Sequence, residues 1–232
     1  MSLSSNRVCA ILLCAGSGTR MNSDTTKQRL VIGSMSVVKR CALAFEACSR
    51  IDGIVVVAKS DEIDFVKSEL SGIQKLCTVV KGGSTRSESA RKGFESVPEG
   101  FGYIAIHDVA RCLIKPEDIT RVVEKARETG AATAVSSVTD TVKIVDDDGI
   151  IRQTVDRNTV YRATTPQIFS IELYKKAISK SYDGIEITDD NMLVEMCGAD
   201  VYTVDIGSEN IKITTKGDLE YAEFLLKKRG VY

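Results

Sequence analysis

Apolar residues along this chain fall into short runs separated by stretches of helical spacing. The runs Val8–Leu13, Ile54–Ala58, Cys77–Val80, Tyr103–Ile106 and Ala132–Val135 have the composition of strands covered on both faces. Val37, Val38, Cys41, Ala42, Phe45 and Cys48 share one helical face. Ile63, Val66 and Leu70 share a second, with Asp61 placed to cap it. Ile119, Val122, Val123 and Ala126 form a third stripe, entered at Pro116 and ended at Gly130. Strands and helices alternating in this way predict an α/β fold, a mostly parallel sheet with right-handed crossovers.

After Ser136 the rhythm changes. Thr141–Val145, the turn Asp146-Asp147-Asp148-Gly149 and Ile150–Val155 read as a hairpin with few residues of its own to bury. It is expected to protrude as an arm, at about 138–157, and to pack on the parent domain or on another subunit. Helices are predicted at Glu172–Ser179, Asp190–Cys197 and Lys216–Lys228, and a strand at Asp200–Val204. No repeat or linker interrupts residues 1–232, which are expected to form a single domain.

The first strand runs into Leu12-Leu13-Cys14-Ala15-Gly16-Ser17-Gly18-Thr19-Arg20-Met21. A dinucleotide fingerprint needs a third glycine where Met21 stands and an acidic residue after the second strand, where Lys59-Ser60 stand. A P-loop needs a lysine directly behind its last glycine, and none follows Gly18. What remains is a turn of small residues whose backbone N–H groups can approach an anion, with Arg20 and Lys27 supplying full charges beyond it. On the turn alone, a strand-to-helix connection with solvated basic residues is an equal alternative.

Composition narrows the partners. The chain carries 31 basic and 32 acidic residues, net charge -1, so no basic face selects for nucleic acid or membrane. Its apolar runs are too short to span a bilayer, and no signal peptide is expected at the N-terminus. Seven cysteines without a C-x-x-C, beside the single His107, argue for reduced, buried thiols and a cytoplasmic setting, not for zinc or disulfides.

Further motifs follow in order: Gly82-Gly83-Ser84-Thr85-Arg86-Ser87-Glu88-Ser89, His107-Asp108-Val109-Ala110-Arg111, Asp140-Thr141-Val142-Lys143, Asp156-Arg157-Asn158, Thr165-Pro166-Gln167, Thr188-Asp189-Asp190 and Asn210-Ile211-Lys212. With the first turn, this series resembles the 2-C-methyl-D-erythritol 4-phosphate cytidylyltransferases of the non-mevalonate isoprenoid pathway, from Val8 to about Leu226. The resemblance implies a Rossmann-like domain with helices on both faces of the sheet, a homodimer formed through the β-arm, and transfer of CMP from CTP to a polyol phosphate with Mg²⁺ present. It implies that Arg20 and Lys27 act on the CTP phosphates, and that Arg157, from the partner's arm, and Lys212 orient the substrate phosphate. Ala15, Gly16, Gly18, Gly83 and Ser89 match the nucleotide-binding positions. Asp108, Thr141, Thr165 and Thr188 match the polyol contacts, with Asp108 also a candidate metal ligand.

A phosphate nucleophile is already ionised at pH 7, so His107 is read as structural and not as a base. Glu88 and Lys92 are read as solvated, and Arg86 either orients the glycine segment or makes a structural ion pair. Cys14 stands where the family has alanine and Cys112 where it has proline. Both thiols are expected near the nucleotide, and Cys14 or Cys112 is expected to make the protein sensitive to alkylation. A ribitol 5-phosphate cytidylyltransferase and a non-catalytic nucleotide-binding protein are the alternatives.

Overall fold

A computed structural model describes residues 5–16, 29–180, 182 and 184–231. The strands are β1 (Val8–Leu13), β2 (Val31–Ile32), β3 (Met35–Ser36), β4 (Gly53–Ala58), β5 (Leu76–Lys81), β6 (Tyr103–Asp108), β7 (Ala131–Ser137), β8 (Lys143–Val145), β9 (Ile151–Thr154), β10 (Tyr161–Ser170) and β11 (Tyr202–Asp205). The helices are α1 (Val37–Ala47), α2 (Ile63–Glu69), α3 (Arg86–Glu95), α4 (Pro116–Thr129), α5 (Ile171–Ile178), α6 (Asp190–Met196) and α7 (Lys216–Lys228). Seven strands form one sheet in the order β11-β7-β10-β6-β1-β4-β5. Among the described residues four of its strand pairs are parallel. The other two are antiparallel, and both involve β10.

Every residue of β1 and β4 is buried, as their unbroken apolar runs require. Successive side chains face opposite ways, so Val8, Ala10 and Leu12 join one core with residues of α1, α4 and α7. Ile11 and Leu13 join a second core with residues of α3, α5 and α6. Helices therefore cover both faces. Gly93 lets α3 lie almost on the strands: a Cβ there would come 2.4 Å from Ile11 and 2.8 Å from Val57. That close seating aims the N-terminal end of α3 at the C-terminal strand ends, where α/β folds hold ligands.

Three features differ from the sequence reading. The ten-residue β10 carries no clean alternation, because Thr164, Thr165, Pro166 and Gln167 sit in its middle. Its register against β7 slips between Ala163 and Gln167, a bulge that re-aims these side chains. Helix α3 is too polar to show an apolar stripe; only Ser89, Ala90 and Gly93 are buried along it. At α2 the cap position is Glu62, not Asp61, and Glu62 makes no side-chain cap. Its carboxylate instead takes Arg29 Nε at 2.9 Å.

Strands β8 and β9 pair antiparallel as the expected hairpin, and each of their residues is exposed. Ile144, Val145, Ile150 and Ile151 remain about half exposed there. No helix of the described residues is long and apolar enough to cross a membrane.

Candidate active site

Three connections meet above the C-terminal ends of β1, β5 and β6, and backbone hydrogen bonds carry the ladder past each strand end. Cys14 N donates to Val57 O, Gly82 N to Ala58 O, and Val109 N to Leu13 O. The two glycine-rich segments touch: a Cβ on Gly82 would lie 2.6 Å from Ala15 Cβ and 2.9 Å from Ser89 Oγ. A side chain at position 82 would therefore wedge the nucleotide-side wall apart. Beside these segments lies a cleft of about 460 Å³ whose lining includes Ala15, Gly16, Gly83 and Ser89. Lys59, Arg86, Asp108 and Lys212 supply its charges.

Local hydrogen bonds shape the glycine segment. Thr85 caps α3 by accepting from Glu88 N, while Ser89 Oγ donates to Thr85 O and accepts from Gly83 N. Glu88 is not merely solvated. Its carboxylate accepts from both the hydroxyl and the backbone N–H of Ser84, with Lys92 3.0 Å away. Those Ser84 donors, followed by Lys92, hold its pKa at about 2. The segment is thus fixed by its own side chains, with Gly83 facing the cleft.

Asp108 closes β6 and also lines the cleft. Its Oδ2 accepts from Lys212 Nζ at 2.7 Å, and its Oδ1 from Arg86 Nε at 3.2 Å. Burial alone would raise this carboxyl. The Arg86 and Lys212 charges outweigh it and hold the pKa at about 2. Lys212 reaches the cleft because its segment, between β11 and α7, is tied down on either side: Ile213 N donates to Ala110 O, and Asn210 Nδ2 to Thr165 O. Arg111 donates to Asn210 O as well, which locks the His107–Arg111 stretch against this segment.

His107 lies beneath the floor. Asp108 N donates to Thr165 Oγ1, which lies 3.0 Å from His107 Nδ1, and His107 Nε2 lies 3.3 Å from Arg111 O. A carbonyl oxygen only accepts, so Nε2 carries the proton and Nδ1 accepts from the threonine. Burial holds the ring neutral, with a pKa of about 4. The imidazole fixes the loop that presents Asp108, as the structural reading of His107 expects.

The cleft thus brings together Ala15, Gly16, Gly83, Ser89, Asp108 and Lys212, with Thr165 buried directly below Asp108. Other expected residues stand elsewhere in the chain. Thr188 is exposed ahead of α6, with its hydroxyl 3.8 Å from Met192 Sδ. Thr141 is exposed at the base of the arm. Arg157, also exposed, donates to Thr139 O at 2.9 Å and does not line its own chain's cleft. Gly18, Arg20 and Lys27 lie outside the described residues. Sequence reasoning missed Lys59 and left the role of Arg86 open; the place of Lys59 directly after the run Ile54–Ala58 is a local signal that could have found it.

Thiol reactivity at Cys14 and Cys112 does not follow from their positions. Both are buried, and burial first of all raises their pKa, that of Cys112 to about 12. Thiolates are the reactive species, so these groups are poor nucleophiles. Cys77 is the exposed thiol of the seven. Brief alkylation of the native protein should therefore label Cys77 first, read by peptide mass mapping; early labelling of Cys14 or Cys112 would contradict this.

The arrangement can hold a chain of phosphates along the glycine segments and a second anion at Lys212. Comparison with known proteins agrees with it. The family described as "IspD: 2-C-methyl-D-erythritol 4-phosphate cytidylyltransferase" matches residues 8–228. The 2-C-methyl-D-erythritol 4-phosphate cytidylyltransferase of Lachnoclostridium phytofermentans is 40% identical over 228 residues, covering 96% of this chain and 97% of its own length. That of a Nostoc species is 37% identical, covering 94% and 97%. Among solved structures, the 4-diphosphocytidyl-2C-methyl-D-erythritol synthase of Anaerococcus prevotii superposes with a TM-score of 0.83 at 29% identity, covering 95% of this chain and 96% of its own. The chain belongs to the 2-C-methyl-D-erythritol 4-phosphate cytidylyltransferase family.

Proposed function

We propose that the protein transfers CMP from CTP to 2-C-methyl-D-erythritol 4-phosphate and releases pyrophosphate. The observation that carries this is the cleft itself: two glycine-rich segments for a nucleotide, and a lysine–aspartate–arginine cluster beside them for a second, polyol-bearing anion. A phosphate oxygen of the acceptor attacks the α-phosphorus of CTP. The bond to pyrophosphate breaks in line, and the electron pair leaves with the pyrophosphate. No proton must be removed, so the protein's work is positioning and charge stabilisation. Ala15, Gly16 and Gly83 bring backbone to the nucleotide, with Gly18, Arg20 and Lys27 assigned to the triphosphate from the family motif. Lys212 draws the acceptor phosphate in, and Asp108 accepts from a polyol hydroxyl. Thr165 holds Asp108 from below, and Thr188 lies on the polyol side.

Mg²⁺ is the proposed cofactor; when bound it would offset the charge of the CTP phosphates. Asp108 does not fit a direct metal ligand as it stands, since each of its oxygens already accepts from a cation. No cluster of three or more acidic, histidine or cysteine side chains suited to a metal exists among the described residues. We further propose a cytoplasmic homodimer of one nucleotidyltransferase domain per chain, with the arm lent to the partner. The half-exposed Ile144, Val145, Ile150 and Ile151 support that, as do the exposed Arg157 and Thr141, which do not line their own chain's cleft.

The test is pyrophosphate release from CTP with methylerythritol phosphate, ribitol phosphate or neither. Release with methylerythritol phosphate alone is expected. Release only with ribitol phosphate would move the substrate assignment, and no release with either would remove the enzyme assignment.

A further inference from the structure

Arg86 lines the cleft, yet it is held from behind. Its Nη1 donates to Asp190 Oδ2 at 2.6 Å while its Nε donates to Asp108 Oδ1. Asp190 is not part of the cleft wall; its side chain is 1% exposed at the start of α6. The other Asp190 oxygen accepts from Tyr174 Oη at 2.7 Å, and its backbone N–H donates to Gln167 Oε1. Gln167 in turn donates to Asp189, which caps α6. Tyr174 is itself fixed, stacked on Phe169 and edge-on to Phe94.

A carboxylate buried this deeply needs a cation, and Arg86 is the one that bridges it to the site. The charges then alternate from the interior to the cleft: Asp190, Arg86, Asp108, Lys212. A guanidinium has a fixed fork of donors suited to phosphate. In this site two of its three nitrogens are committed to carboxylates before any ligand arrives. Among the described residues Lys212, by contrast, pairs with Asp108 alone, and its side chain is 43% exposed. Of these two cations facing one another across Asp108, only the lysine is easily released to an incoming anion.

We propose that Asp190 is a positioning residue that keeps Arg86 on the protein, so that Lys212 and not Arg86 meets the phosphate on this side of the cleft. The consequence is a division of labour. Arg86 becomes a strut that sets the position of Asp108 and the mouth of α3. An Arg86 freed from Asp190 would compete for phosphates, binding anions in poses that do not react and holding released pyrophosphate. Asp190 thus trades anion affinity for turnover. This assignment rests on the cytidylyl-transfer reading of the site.

The experiment is Asp190→Asn, which keeps the volume and an acceptor for Tyr174 but removes the charge. Inorganic pyrophosphate binding is measured by calorimetry, a readout independent of the acceptor substrate, alongside steady-state turnover. Pyrophosphate should bind about 5-fold or more tightly and kcat should fall about 10-fold, while KM for CTP does not rise. Asp190→Glu, which restores the charge, should return both values towards those of the unsubstituted protein. A site damaged only structurally would lose affinity and gain KM. Unchanged or weaker pyrophosphate binding in Asp190→Asn overturns the proposal. If that variant does not fold, Tyr174→Phe carries the test: it removes a donor from Asp190, keeps the aromatic packing, and leaves the carboxylate to hold Arg86 at least as firmly, so pyrophosphate binding must not tighten. Tighter binding in Tyr174→Phe would then overturn it. Absence of pyrophosphate release by the unsubstituted protein would fault the functional reading instead, and the two failures are distinct.

Discussion

Replacing Lys212 by methionine should lower kcat/KM for cytidylyl transfer by about 10²–10³, the scale of a lost electrostatic stabiliser, with the fold intact. The effect follows from what Lys212 does and does not support. Its Nζ meets Asp108 Oδ2 at 2.7 Å, but Asp108 keeps Arg86 on its other oxygen when the lysine is gone. The lysine side chain is also 43% exposed, so the pair contributes only about 0–1 kcal/mol to stability. Methionine preserves the aliphatic stem. The thermal midpoint should therefore barely move while turnover collapses, and Lys212→Arg should recover part of the rate through its charge. Pyrophosphate release followed beside a thermal melt checks both halves. A rate within threefold of the unsubstituted protein would remove Lys212 from the site.

Much of this site is legible in the chain, and the reasons differ residue by residue. Ala15 and Gly16 announce themselves because an apolar run ending in small residues has few other uses. Asp108 shows through its place just past the run Tyr103–Ile106, and β1, β4 and β6 follow from unbroken apolar stretches that only a buried parallel sheet accommodates. What stays hidden depends on contacts between distant positions. The Arg86–Asp190 and Lys212–Asp108 pairs each span 104 residues, and no local period encodes them. Strand β10 is hidden for another reason. Its middle is polar because Thr165 and Gln167 are spent on buried hydrogen bonds to His107, Asp108 and Asp190, so its side chains look like those of a loop. The buried positions that sequence patterning missed are those that assemble the site.

Arg157 gives the second large effect, and one that separates a dimeric site from a monomeric one. Arg157→Met and Lys212→Met should each lower activity by about 10²-fold or more when made alone. Co-expressed as a mixed pair, they should regain about a quarter of full activity, because closed two-fold assemblies re-sort their subunits. The arithmetic follows from the arm. If Arg157 serves the partner's cleft while Lys212 serves its own, half the dimers are mixed. Each mixed dimer then has one site with both residues native and one with neither. A monomeric site, or an arm folded back on its own chain, leaves every mixed molecule short of one residue and yields no recovery. The first outcome is the one expected under the proposed dimer, in which the exposed Arg157, which donates to Thr139 O and does not line its own chain's cleft, would serve the partner's. Pyrophosphate release by the unsorted co-expressed pool makes the measurement, and tagged variants purified as mixed pairs, in which every dimer is mixed, should reach about half of full activity. If Arg157→Met alone retains full activity, the arm's arginine has no part in the reaction.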